Sequence, residues 1–142
     1  MASSAIHSKK TKLEIDTSET DTPTWVQVKG LKSFAGIGGG SPAVIDSTDL
    51  DSEAKEKLMG LKDEGQASFT FNYLPNDPGQ IALQAARDSG DETKMRVVMN
   101  TKNVYGFAGF VMTAEVAGGV DELLSLASNV EITGAVTKSV IA

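Results

Sequence analysis

The chain has no cysteine, which removes disulfides, thiolate nucleophiles and cysteine-built zinc sites from consideration. Its one histidine, His7, lies in a polar N-terminal stretch, so a Ser-His-Asp or Cys-His device is not expected. Basic residues are in deficit, with 13 Lys and Arg against 19 Asp and Glu for a net charge of −6. That balance argues against a protein that grips a phosphate backbone, which needs a basic face. A long apolar run is missing too. The most apolar window, Val104 to Val116, is broken by glycine, threonine and glutamate, short of the roughly 18 apolar residues a bilayer span requires. The opening MASSAIHSKK lacks the apolar centre of a secretory signal. No membrane partner is expected.

What remains is a chain of 142 residues, 40% hydrophobic, enough for one core and most simply one domain. Residues 1–10 read as a flexible arm. From Thr11 to Asp16, Leu13 and Ile15 alternate with Lys12, Glu14 and Asp16, the period of a half-buried strand. A second strand is expected from Trp25 to Phe34. Residues 35–66 form a long loop, glycine-rich at its head, with a helical turn expected from Ser52 to Met59, capped by Asp51 or Ser52. Gln66 to Leu74 is the clearest strand, with Ala67, Phe69, Phe71 and Tyr73 facing inward. A helix then starts at Asp77-Pro78 and stops at Gly90, packing through Ile81, Leu83, Ala85 and Ala86.

Strands are expected again over Lys94 to Asn100, Val104 to Ala117 and Leu124 to Thr137. The middle one is apolar on both faces, with Phe107 and Val111 opposite Phe110 and Met112, and is expected to be covered on both. The whole reads as mainly β: an antiparallel sandwich or barrel flanked by one α-helix.

Two stretches invite chemistry, and each fails on its spacing. Gly36 to Gly40 suggests a phosphate loop, but no Gly-Lys pair exists in the chain and Ser41-Pro42 opens no helix. Asp46, Asp49, Asp51 and Glu53 suggest a calcium loop. Counted from Asp49, however, position six is Ala54 and position twelve is Gly60, where glycine and glutamate are needed. Asp46–Glu64 holds seven acids and three lysines, an acidic surface facing solvent or a partner. No acid sits in an apolar setting of the kind that raises a catalytic carboxyl's pKa. Trp25 and Tyr105 fit core positions better than a ligand cleft. No enzyme, cofactor or metal site is expected.

The loop is far longer than the usual 4–6 residues and carries Ile45, Leu50, Leu58, Met59 and Leu61. Such loops are usually functional, and these five side chains are candidate contacts with a neighbouring subunit. On the final strand Asn129, Glu131 and Thr133 form a polar face.

Ile45 to Ala86 contains IDSTDLDSEAKEKLMGLKDEGQ, the Gly60-Leu61-Lys62-Asp63-Glu64-Gly65 motif, the Phe69-Thr70-Phe71 strand and the helix start at Asp77. With MRVVMNTKNVYGFAGFVM and SLASNVEITGAV further on, this order resembles the major tail tube proteins of long, non-contractile-tailed, lambda-like bacteriophages. The resemblance implies a structural virion protein that forms hexameric rings, stacked into a hollow tube. Neighbouring sheets would join to line the lumen, with Asn129, Glu131 and Thr133 facing it. DNA would pass through without specific binding. Implied partners are further copies of the chain, a tape-measure protein, a tail terminator and tail-tip or baseplate proteins. Its place would be the virion tail, after synthesis in the host bacterial cytoplasm. Such proteins often append an immunoglobulin-like C-terminal domain; here a single tail-tube domain over 1–142 is expected. Other classes remain open on the residues alone: another tail-like ring (terminator, baseplate hub or secretion-system tube), a monomeric β-sandwich ligand-binding module, or a hydrolase.

Overall fold

The computed structural model describes residues 9–18, 22–38 and 40–140. His7 and most of the arm read at 1–10 lie outside them. Among the described residues nine strands and one helix follow in order: β1 Lys12–Asp16, β2 Trp25–Val28, β3 Leu31–Ala35, β4 Ser41–Asp46, β5 Lys57–Asp63, β6 Gln66–Asn72, α1 Pro78–Ser89, β7 Thr93–Val98, β8 Asn103–Ala117 and β9 Ser125–Val140. Seven strands make one sheet in the order β2-β1-β7-β8-β9-β6-β3, and β4 with β5 makes a separate two-stranded one. Every pairing is antiparallel, and the mainly β fold with a single helix is the one expected.

The sheet is strongly curled. Strands β2 and β3 lie at its opposite edges, yet only Lys29 and Gly30 separate them in the chain. The two edges must therefore come together. Gly30 makes the corner, with φ of 87°, and a Cβ there would sit 2.7 Å from the Asn72 carbonyl oxygen. Only glycine fits both demands. This corrects the single strand read over 25–34: at the corner the pairing partner changes from β1 to β6 and the inward phase slips, with Val26 and Val28 before it and Leu31 and Phe34 after it facing the core.

The curl encloses Leu13, Ile15, Val28, Phe69, Phe71, Met95, Val97, Leu126 and Val130, each at most 1% exposed. Phe69 stacks with both Phe71 and Phe107 at 6.4 Å between ring centroids.

The helix closes the open side and is bolted to the corner. Asp77 caps it, one carboxylate oxygen accepting from the Gln80 amide at 3.1 Å and from the Lys29 amide at 3.0 Å. Gly90 ends it in the left-handed region, its N–H donating to the Ala86 carbonyl. Gln80 is buried, and its side-chain amide makes three hydrogen bonds to backbone. Oε1 accepts from the Leu74 N–H at 2.9 Å; Nε2 donates to the carbonyls of Lys29 at 2.7 Å and Asn72 at 2.8 Å. Gly79 lets the helix start rest on β2, since a Cβ there would meet the Gln27 carbonyl oxygen at 2.2 Å. The buried face is thus Gly79, Gln80 and Leu83. Ile81 and Ala85, expected to pack, point outward, because anchoring through Gln80 rotates them away from the sheet.

The long loop differs most from expectation. Much of it is the β4–β5 hairpin, with Ile45 opposite Leu58 and Val44 opposite Met59. No helical turn forms over Ser52 to Met59; Asp49 and Ser52 instead tie a tight turn, the Ser52 N–H donating to the Asp49 carbonyl and its hydroxyl to the Asp49 carboxylate. One isolated helical turn fixes several residues for a single hydrogen bond, whereas pairing with β4 gives residues 57–63 a ladder of them along one edge.

Candidate assembly surfaces

The five loop residues singled out by sequence come together on the hairpin. Ile45 lies on β4, Leu58, Met59 and Leu61 on β5, and Leu50 at the tip between them. None is buried: Leu50 and Leu61 are essentially fully exposed, and Ile45, Leu58 and Met59 more than half. Side chains on both faces of the hairpin, Val44 and Met59 on one and Ile45 and Leu58 on the other, are open to solvent. The hairpin therefore projects from the body. At its tip Thr48 bridges to Glu56, its hydroxyl donating to the Glu56 carbonyl and accepting from the Glu56 N–H. Hydrogen bonds from Thr48 hold the Asp46 carboxyl below its ordinary pKa.

Asn129, Glu131 and Thr133 lie on the outer face of β9, away from the core. Cross-strand neighbours extend this face: Gln66 beside Glu131, Ser68 beside Asn129 and Thr113 beside Asn129. The core face of the same strand carries Leu126, Ser128, Val130 and Ile132. One correction concerns β8, which was expected to be covered on both sides. Its core side is covered, but Phe110 and Met112 are 37% and 54% exposed. The helix and the curl shield only one side, and the described residues supply no further layer.

Two strand edges are open. Strand β7 pairs with β8 only as far as Gly109, and β6 with β9 only as far as Glu131, with a last bond from the Ile132 N–H to the Gly65 carbonyl. Residues 110–117 of β8 and 133–140 of β9 thus each present one edge that no strand meets among the described residues.

Sequence reasoning missed the apolar loop joining these strands. Val120 and Leu123 are largely exposed and Leu124 about half; the signal was three aliphatic residues beside a Gly-Gly break. It also missed a cluster on the outer face, where Arg96 Nε donates to Glu14 at 2.8 Å while its guanidinium lies 4.4 Å from the centre of the Trp25 ring. This pairing explains an aromatic residue outside the core.

Little here points to catalysis. A cleft of about 560 Å³ between the end of α1 and β1 is lined by Ala82, Ala85 and Ala86 with Asp16, Asp91 and Glu92. The Asp16 carboxylate already accepts from the amides of Ser18 at 2.8 Å and Thr24 at 2.9 Å. Partial burial pushes its pKa up, but these bonds outweigh it and leave the carboxyl below its ordinary value, the wrong direction for a general acid. Among the described residues no group of His, Cys, Asp or Glu is placed to hold a metal, and no helix is long and apolar enough to cross a membrane.

Comparison with known proteins gives this arrangement a context. Among curated protein sequences none matches the chain. Its fold is similar to a subunit from the tail of an empty gene transfer agent particle refined with C6 symmetry. That match has a TM-score of 0.73 at 16% identity and covers 97% of this chain and 100% of that one. It is also similar to the SPP1 tail tube subunit, with a TM-score of 0.68 at 14% identity over 96% of this chain and 80% of the other. A chain of the PVC extracellular contractile injection system, in its sheath-tube complex, gives a TM-score of 0.72 at 7% identity, covering 97% and 93%. At such identities the likeness is one of fold. Sequence supplies the family: residues 4–102 match the one described as phage tail tube, TTP, lambda-like, and the chain belongs to it.

Proposed function

We propose that this tail tube protein forms hexameric rings by joining the open edge of β9 in one copy to the open edge of β8 in the next. The observation that carries the reading is the pair of open edges, eight residues each, on adjacent strands of one sheet. Copies related by rotation about a ring axis keep the same strand sense. Strand β9 of one therefore runs antiparallel to β8 of its neighbour, like every other pairing in the sheet. The two edges lie at opposite ends of the β8–β9 ladder, so strands in the joined sheet tilt against the ring axis, as closure of a barrel requires. Six-fold symmetry in the similar gene transfer agent tail supports the ring size.

The outer face of β9, with Asn129, Glu131 and Thr133, lines the lumen of the stacked rings. Its neutral and acidic groups offer passing DNA no counterion-releasing grip. The role is structural and not enzymatic, and the described residues act as one tail-tube domain. In the virion tail it encloses a tape-measure protein and meets terminator and tail-tip proteins, after synthesis in the host cytoplasm. The β4–β5 hairpin, through Ile45, Leu50, Leu58, Met59 and Leu61, is a contact between copies, since exposed apolar clusters mark interaction sites.

Electron microscopy of the purified protein across a concentration series tests assembly, with rings or hollow tubes of uniform width as the expected result. In such tubes a Glu131→Cys thiol, alone in a chain without cysteine, should react with a bulky maleimide at least tenfold more slowly than Asp88→Cys on the exposed helix. Equal rates would take this face out of the lumen.

A further inference from the structure

We infer that residues 4–8 add as a further strand to the free edge of β3 in the same copy, covering the end of the sheet that the helix leaves bare. The inference is independent of the ring reading and applies to a lone subunit. Strands β2 and β3 are the two ends of the curled sheet, and they meet end to end at Gly30, not side by side. Each therefore keeps a second edge. The start of α1 lies against the backbone of β2, where Gly79 approaches Gln27 and Val28 and the Asp77 carboxylate accepts from the Lys29 N–H. Strand β3 pairs with β6, and among the described residues no strand meets its other edge.

A groove of about 280 Å³ runs beside β3, lined by Thr11 and by Leu31, Lys32, Ser33 and Phe34. Thr11 thus brings the chain upstream of β1 alongside β3. The β1–β2 ladder leads to the same place. Leu13 opposes Val28, so carrying the register back two residues sets Thr11 against Gly30 and the residues before it against β3. Lys10 has φ of 66°, the left-handed conformation found in one class of β-bulge, where two residues oppose one. With Lys9 and Lys10 together opposite Leu31, Ser8 falls opposite Lys32, His7 opposite Ser33 and Ile6 opposite Phe34.

The side chains suit that register. Leu31 and Phe34 pack against the core, yet both stay partly exposed. Ile6 is the only large aliphatic residue between positions 2 and 10, and it lands beside Phe34. Ser8, not Lys9, opposes Lys32, so no like charges face each other across the pair. Residues 4–8 also lie inside the stretch that matches the tail tube family, which makes them part of the shared unit and not an appendage. A bare strand edge is a template for an added strand. Attachment through Thr11 keeps this segment beside its edge, at a small cost in loop closure.

Hydrogen exchange resolved by NMR, on protein diluted below its assembly concentration, tests the inference. Amides within 31–35 that do not face β6 should exchange at least tenfold faster when residues 2–8 are deleted, while those of β7 keep their rates. Should the deletion fail to fold, Ile6→Asp in the full chain should speed the same amides. Unchanged rates in a folded variant would overturn the inference. Protection at β3 that rises with protein concentration would also overturn it, because the segment would then come from another copy. His7→Cys with Ser33→Cys, in a chain that otherwise has no thiol, should close a disulfide within one chain. A dimer band on a denaturing non-reducing gel, or thiols that stay free both here and in Ile6→Cys with Phe34→Cys, would count against it in the same way.

Discussion

Replacing Gln80 by leucine isolates what holds the curled sheet closed. The side chain is 1% exposed and satisfies three backbone groups from three segments: the Leu74 N–H, the Lys29 carbonyl at the Gly30 corner and the Asn72 carbonyl at the end of β6. Leucine is close in size, so the change deletes hydrogen bonds without opening a large cavity. Each buried backbone group left without a partner costs about 1–3 kcal/mol. The three surroundings here are only partly buried, which favours the low end. Burying leucine instead of an amide returns about 1 kcal/mol, leaving a net loss of about 2–3 kcal/mol. Against a domain stability of about 5–15 kcal/mol this is a large fraction, and it corresponds to a fall of about 4–12 °C in Tm. Urea denaturation of dilute protein, with the slope unchanged, reads the loss directly. Gln80→Glu should be at least as harmful, because a carboxylate oxygen would face two carbonyls. A loss below about 0.5 kcal/mol for leucine, or a tolerated glutamate, would refute the view that this amide joins helix and corner.

Ser128 offers the opposite sign: it is 1% exposed and its hydroxyl has no hydrogen-bond partner. Ser128→Ala should raise stability by about 1 kcal/mol, seen as a higher urea midpoint; a comparable loss would mean that the hydroxyl is bonded after all. Asp16 governs an acid limb. Its folded-state pKa lies below the ordinary carboxyl value, so its contribution is complete above that value and is lost as pH falls through the lower folded one. Asp16→Asn keeps an acceptor for the two amides and should show a shallower decline in stability below about pH 4; identical declines would exclude Asp16 as a contributor.

Much of the fold was legible because local chemistry and burial agree. Asp77, Pro78 and Gly90 mark the helix ends by capping rules that depend on nearby backbone. Period-two alternation located β6, β7 and the first half of β9, whose inward residues are buried. What stayed hidden depends on distant partners. Gln80 looks like a surface glutamine until Lys29, 51 residues away, is brought beside it. Gly30 breaks what reads as one strand, and the slip of the inward phase from Val28 to Leu31 was its only local sign. The hairpin was misread because both of its faces are exposed, so no inside-outside pattern marks it. Asp51 and Ser52 before a stretch with alternate lysines mimic a helix start. The hairpin's apolar side chains were legible as an anomaly of composition, but their order along β5 is that of a strand and not of a helix. The loop at Val120 and Leu123 escaped for a different reason: glycines beside it read as a simple break.

Open edges on β8 and β9 pose a problem before assembly, since an unpaired strand can template pairing with any other chain. This chain answers it with irregularity. Register shifts interrupt the β8–β9 ladder between Gly106 and Ala108 and between Val111 and Thr113, and Gly134 enters the left-handed region opposite the first. Such bulges increase local twist and bend the strand, so a flat foreign strand cannot follow the edge for long. Charged side chains add to the barrier, with Glu115 along the β8 stretch and Lys138 along the β9 stretch. A second copy of the chain carries the same twist and the opposite charge on the edge it offers. In the ring proposed above these two edges meet partners of matching shape, and on that reading the hazard of the lone subunit becomes the means by which one copy selects another.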